Sequence, residues 1–172
     1  MIHRQMRALA ILAIALFGLL AICAPARAAG SPFPLSLEDP LTGKQVRLEP
    51  SARLLHVVFI ATWCPVCVDE LEALAELEAR WEERGYRLVL VAVKTRHTSE
   101  RLARFAERQR LPGRFLFDSE GQAEFALGAR DLPMHLLLDS EGRELVRAAT
   151  LDEGIEAEVA RLLSGGRGAS GK

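Results

Sequence analysis

Residues 54–67 read LLHVVFIATWCPVC, and this stretch decides most of the fold. Leu54 to Ala61 is a nearly continuous apolar run rich in Val and Ile. A strand of that kind has both faces buried, as in a parallel sheet covered by helices. The run leads into Cys64-Pro65-Val66-Cys67, where Pro65 suits the first turn of a helix because its missing N–H is no loss there. Two cysteines at C-x-x-C spacing therefore sit one helical turn apart at a strand-to-helix junction, close enough to close a disulfide. Free backbone N–H groups and the helix dipole at such a junction stabilise an anion, here the Cys64 thiolate. Cys64 is expected to be the exposed attacker and Cys67 the inner thiol that resolves the mixed disulfide. A structural zinc would need a second Cys or His pair, which the sequence lacks. A purely structural bridge closing so short a loop would constrain very little.

Working outward, a helix is expected from about Pro65 to Arg84, with Gly85 following its last turn. Cys67, Leu71, Leu74, Leu77 and Trp81 share one face, and Asp69, Glu72, Glu76, Arg80 and Glu83 lie opposite. Glu70 precedes Leu74, Leu77 and Trp81 by four, seven and eleven residues, so it belongs to the apolar stripe, one turn on from Cys67. A half-buried carboxylate there could accept or return the thiol proton. An acid in the first turns also suits the helix dipole, and Glu78 falls near the apolar face as well, so periodicity leaves both readings open.

Arg87 to Lys94 repeats the buried-strand pattern. A helix fits Ser99 to Arg110, capped by Thr98 or Ser99 and stopped by Pro112-Gly113. A short strand at Phe115 to Phe117 and a short helix at Gln122 to Ala129 follow. Met134 to Asp139 and Arg143 to Ala149 read as a hairpin, and Asp152 to Leu163 as a last helix. Upstream, alternation in residues 33–48 around Asp39-Pro40 and Thr42-Gly43 gives another hairpin. Asp-Ser-Glu-Gly occurs at 118–121 and at 139–142, which is recurring turn chemistry and not a repeat architecture. The fold class is α/β, a mixed sheet between helices.

The chain of 172 residues is 49% apolar and 26% charged, which excludes disordered and collagen-like classes. A net charge of −1 gives no electrostatic case for nucleic acid. Arg4 and Arg7, the apolar run from Ala8 to Cys23, and Ala26-Arg27-Ala28 describe a secretory signal over residues 1–28. A retained anchor is the alternative, since Ala8 to Ala26 is just long enough to span a bilayer. A lipoprotein at Cys23 is disfavoured by Ile22. Residues 29–164 are expected to form the domain, with Cys64 and Cys67 as its cysteines, and 165–172 a flexible Gly-rich tail.

The domain resembles the extracytoplasmic TlpA/ResA-like branch of the thioredoxin family, over roughly Phe33 to Leu163. The resemblance rests on Ala61-Thr62-Trp63-Cys64-Pro65-Val66-Cys67 with Glu70, on Gly43-Lys44-Gln45-Val46-Arg47-Leu48, and on Leu132-Pro133 before a strand. It implies a thioredoxin-like fold with an N-terminal β-hairpin, and a thiol–disulfide oxidoreductase needing no cofactor. It also implies that Pro133 is cis and packs by the cysteines, and that Glu70 is the active-site acid. The resemblance further implies a periplasmic reductase, a monomer, recharged by a membrane thiol donor. Its clients would be proteins with a disulfide or thiol pair, such as apocytochromes or copper-site cysteines. Trp63 beside the site, and Leu132, are expected to contact substrate.

Three departures bear on specificity. Val66 is unusual for the branch, so no redox potential carries over. Leu132-Pro133-Met134-His135 lacks the Thr-Thr pair that often follows the family's proline. Val58 stands where cytoplasmic thioredoxins keep a buried Asp, which leaves Glu70 as the acid. The remaining alternatives are a disulfide-donating oxidase and a copper chaperone using Cys64 and Cys67, with His135 as a conceivable third ligand. His135 and His56 otherwise read as packed strand histidines. Lys94 and His97 fall in a loop at the ligand-binding end of an α/β sheet without specifying a ligand.

Overall fold

The computed structural model describes residues 31–164. The signal reading of residues 1–28 and the flexible-tail reading of 165–172 lie outside the described residues. The N-terminal hairpin pairs β1 (Leu35–Asp39) with β2 (Lys44–Leu48). Its turn is closed by the Asp39 carbonyl, which accepts the N–H groups of Thr42 and Gly43.

The central strand β3 (Leu54–Ile60) is buried at every position, as its unbroken apolar run requires. It runs parallel to β4 (Tyr86–Ala92), which is parallel to β5 (Arg114–Phe117). On its other side β3 pairs antiparallel with β6 (Met134–Asp139), and β6 with the edge strand β7 (Glu144–Ala148). The sheet order is β2-β1-β5-β4-β3-β6-β7.

Five helices among the described residues accompany the sheet: α1 (Pro65–Asp69), α2 (Leu71–Trp81), α3 (Ser99–Gln109), α4 (Gln122–Ala126) and α5 (Glu153–Ser164). Leu74, Leu77 and Trp81 of α2 and Ile155, Val159 and Leu163 of α5 are buried. Each such side chain contributes about 1.5–3 kcal/mol of transfer free energy.

The helices depart from the sequence reading in three places. The helix expected over 65–84 is interrupted at Glu70, and its last turn, Glu82–Arg84, is 3-10. Next, α3 ends before Pro112-Gly113, because Arg110 takes a left-handed conformation at φ 49°. Finally, α4 stops at Ala126, not Ala129. There the Ala129 N–H donates to Glu124 O and the Gly128 N–H to Phe125 O, with Gly128 at φ 64°, so a Schellman motif terminates the helix. The two Asp-Ser-Glu-Gly segments are indeed the same turn. Gly121 and Gly142 both sit at φ 76° and donate their N–H to Asp118 O and Asp139 O.

Candidate active site

Cys64 ends the loop after β3 in extended conformation and caps α1, its Sγ accepting the Cys67 N–H at 3.2 Å. Cys64 and Cys67 form a disulfide with their Cα atoms 5.3 Å apart. Cys64 is 7% exposed and Cys67 1%, so the first sulfur is the reachable one. Trp63 and Val66 flank the bridge, 45% and 47% exposed. Trp63 is held by its Nε1–H, which donates to Thr95 O, and by Arg96 over its ring.

The peptide bond Leu132–Pro133 is cis. Leu132 joins Trp63, Cys64, Pro65, Val66 and Glu124 in lining a groove of about 480 Å³. Pro133 borders a neighbouring depression with Met134 and Arg147. A larger cavity of about 640 Å³ is walled by Arg47, Glu49, Glu78 and Arg87 and contains neither cysteine, so the chemistry points to the smaller groove.

Lys94 and His97 are structural in placement. His97 accepts the Thr62 N–H on Nε2 and donates its Nδ1–H to Val93 O, bracing the loop before Cys64. The Lys94 backbone N–H donates to Glu124 Oε1.

Glu70 occupies the break between α1 and α2, its side chain 12% exposed. Its Oε1 accepts the Leu151 N–H at 2.8 Å, and its Oε2 lies 3.0 Å from His135 Nε2. His135 Nδ1 is 3.1 Å from His56 Nε2, and His56 Nδ1 is 2.5 Å from the Tyr86 hydroxyl. His135 and His56 are packed strand histidines, as read from the sequence, and beyond that reading they link the core to Glu70. Strand register explains the line-up. Val58 pairs with His135 and Leu54 with Tyr86, so both face the side of the sheet that His56 faces.

Both ring nitrogens of His135 are engaged, so the copper set of Cys64, Cys67 and His135 is not assembled. Among the described residues no group of three or more His, Cys, Asp or Glu side chains is arranged to hold a metal ion. No described helix is long and apolar enough to cross a membrane.

Burial, and then the charge on neighbouring His135, push the His56 pKa well below its ordinary value. Burial pushes the Tyr86 hydroxyl upward, so it stays a donor. In the unfolded chain His56 protonates near its ordinary value of about 6.5. Below that pH the unfolded state binds more protons than the folded one, so stability falls as pH drops from about 6.5 towards the depressed folded value. The expected loss from this residue approaches about 1.4 kcal/mol per pH unit. Urea midpoints at neutral and mildly acid pH check it. His56→Gln should flatten the dependence, and an equally steep fall in that variant would exclude His56 as its source.

The sheet order and the site place the chain among thioredoxin-like proteins, an α/β fold with a mixed sheet and an N-terminal hairpin. More narrowly, it belongs to the AhpC/TSA family, which residues 29–147 match. The thiol-disulfide oxidoreductase ResA of Geobacillus thermodenitrificans is 28% identical over 117 residues, which cover 67% of this chain and 66% of that one. ResA of Halalkalibacterium halodurans is 29% identical over 115 residues, covering 66% and 63%. The matched region thus spans slightly under two thirds of each relative's length. The crystal structure of a secreted Mycobacterium tuberculosis disulfide oxidoreductase superposes with a TM-score of 0.61, covering 78% of this chain and 97% of that one at 16% identity.

Proposed function

We propose that this chain is an extracytoplasmic thiol–disulfide oxidoreductase that reduces disulfides in particular client proteins. The observation that carries it is the Cys64–Cys67 pair, with its outer sulfur on an apolar groove and its inner sulfur buried three residues before Glu70. The Cys64 thiolate attacks one sulfur of the client disulfide, and the other leaves as a thiolate that takes a proton from water. Cys67 then gives its proton to the Glu70 carboxylate and attacks Cys64 Sγ, expelling the client's remaining sulfur as a thiolate, which takes that proton back from the Glu70 carboxyl. The client has gained two electrons and two protons, and the enzyme is left as the Cys64–Cys67 disulfide. Trp63, Leu132 and cis-Pro133 frame the surface on which the client chain lies.

The direction and setting rest on the ResA relatives and on the signal-like residues 1–28. A reductase in an oxidising compartment needs recharging, which assigns a membrane thiol donor as the second partner. Clients of fitting chemistry are apocytochromes before haem attachment and copper-site cysteines of an assembling oxidase.

The test is the equilibrium reduction potential of the pair. A value near or below about −250 mV is expected for a reductase. A value above about −180 mV would make the protein a disulfide donor instead. Absence of a reversible couple, with stoichiometric copper retained after chelation and lost in Cys64→Ala, would replace both with a copper chaperone.

A further inference from the structure

Glu70 is reached from the interior by a line of three buried polar side chains, His135, His56 and Tyr86, which span three adjacent strands. Among the described residues no buried side-chain nitrogen or oxygen lacks a hydrogen-bond partner, so every link in this line is made. The chemistry of the end groups sets the direction of each bond. The Tyr86 hydroxyl donates to His56 Nδ1, which leaves the His56 proton on Nε2. That N–H donates to His135 Nδ1, which leaves the His135 proton on Nε2, aimed at Glu70 Oε2. The Leu151 N–H holds the other oxygen. Reversing the line would leave the Tyr86 hydrogen without an acceptor and set a ring lone pair against the carboxylate.

We propose that Tyr86, His56 and His135 are positioning residues, a one-way hydrogen-bond chain that holds the Glu70 carboxylate as the acceptor of the Cys67 proton. This rests on the proposed role of Glu70 and adds residues to it. Two donors fix the carboxylate plane and leave its remaining lone pairs for the thiol proton. The depressed His56 basicity fits a line with one proton on each ring. Besides its own members, Glu78 of α2 acts on the line through its charge on Tyr86. The buried residues of α5 are Ile155, Val159 and Leu163.

The test is ¹⁵N NMR of the histidine rings in the oxidised protein, where no thiol of the pair titrates. In wild type both rings are expected to carry the proton on Nε2. In Glu70→Gln the amide oxygen must still accept the Leu151 N–H, so its NH2 faces His135 Nε2. Both histidines should then move their proton to Nδ1, including His56, which does not touch residue 70. A merely structural role predicts no change at His56, and that result would overturn the chain.

A kinetic arm uses two substitutions of His135. His135→Gln, which can accept from His56 and donate to Glu70, should resolve the mixed disulfide within about twofold of wild type. His135→Leu should slow that step about tenfold or more while Cys64 attack is unchanged. Equal rates in both variants would overturn the positioning role. If the tautomers switch but Glu70→Gln resolves at the wild-type rate, the chain stands and the proton-accepting role of Glu70 fails.

Discussion

Cys64→Ser is expected to abolish disulfide exchange, with a loss on the order of a thousandfold or more, while Cys67→Ser should accumulate a mixed disulfide with its client. The difference follows from burial. Cys64 Sγ caps α1 and opens onto the groove with Trp63, Val66 and Leu132, whereas Cys67 is 1% exposed. A client sulfur can line up with the first and not with the second. Serine at 64 removes the nucleophile, and residues that act as one unit lose nearly all activity when one is removed. Serine at 67 leaves the attack intact and removes only the thiol that would release the client, so the intermediate persists. Non-reducing gels and intact-protein mass after incubation with a disulfide-bonded peptide distinguish the outcomes. A covalent adduct in Cys64→Ser, joined through Cys67, would reverse the assigned roles.

The two cysteines were legible because their signal is local. A buried strand, a proline and a fixed spacing together specify a helix N-terminus, and the structure builds it within residues 54–69. Glu70 was legible only in part. Its spacing to Leu74, Leu77 and Trp81 placed it on the apolar stripe, but helical periodicity assumes an unbroken helix, and the helix is interrupted at Glu70 itself. What holds its carboxylate comes from residues 135 and 151, far along the chain, which no local pattern reveals.

The histidine line was missed for a related reason. One histidine in a buried strand is ambiguous, yet His56 and His135 each stand in an apolar run that would otherwise be continuous. Two imidazoles at buried positions both need partners. That was a usable signal, but only the register of β3 against β6 shows that they meet each other.

Gly113 shows the same limit, and its replacement carries the second large expected effect. In the sequence, Pro112-Gly113 reads as a helix stop. In the structure Gly113 lies at φ 63°, and a Cβ built there would stand 2.5 Å from Leu88 O and 2.9 Å from Leu88 Cβ. The glycine is therefore required by a close approach of backbone to backbone, where nothing at the contact is the end of a flexible side chain. Its N–H also donates to Glu78 Oε2 at 2.6 Å, tying the start of β5 to α2. Gly113→Ala must adopt a left-handed conformation costing about 1–2 kcal/mol. It must also displace a buried backbone, for which overpacking costs about 1–3 kcal/mol. Together these give an expected loss of roughly 2–5 kcal/mol, a large share of the 5–15 kcal/mol of an ordinary domain. Arg114 pairs with Val89, so the shift should loosen β5 against β4. The groove residues lie elsewhere, and the reduction potential of folded Gly113→Ala should stay that of wild type. Urea unfolding with the potential measured alongside separates the two quantities. An unchanged unfolding midpoint would show that the backbone accommodates the methyl group, and a changed potential would mean that strain at β5 reaches the cysteines across the sheet.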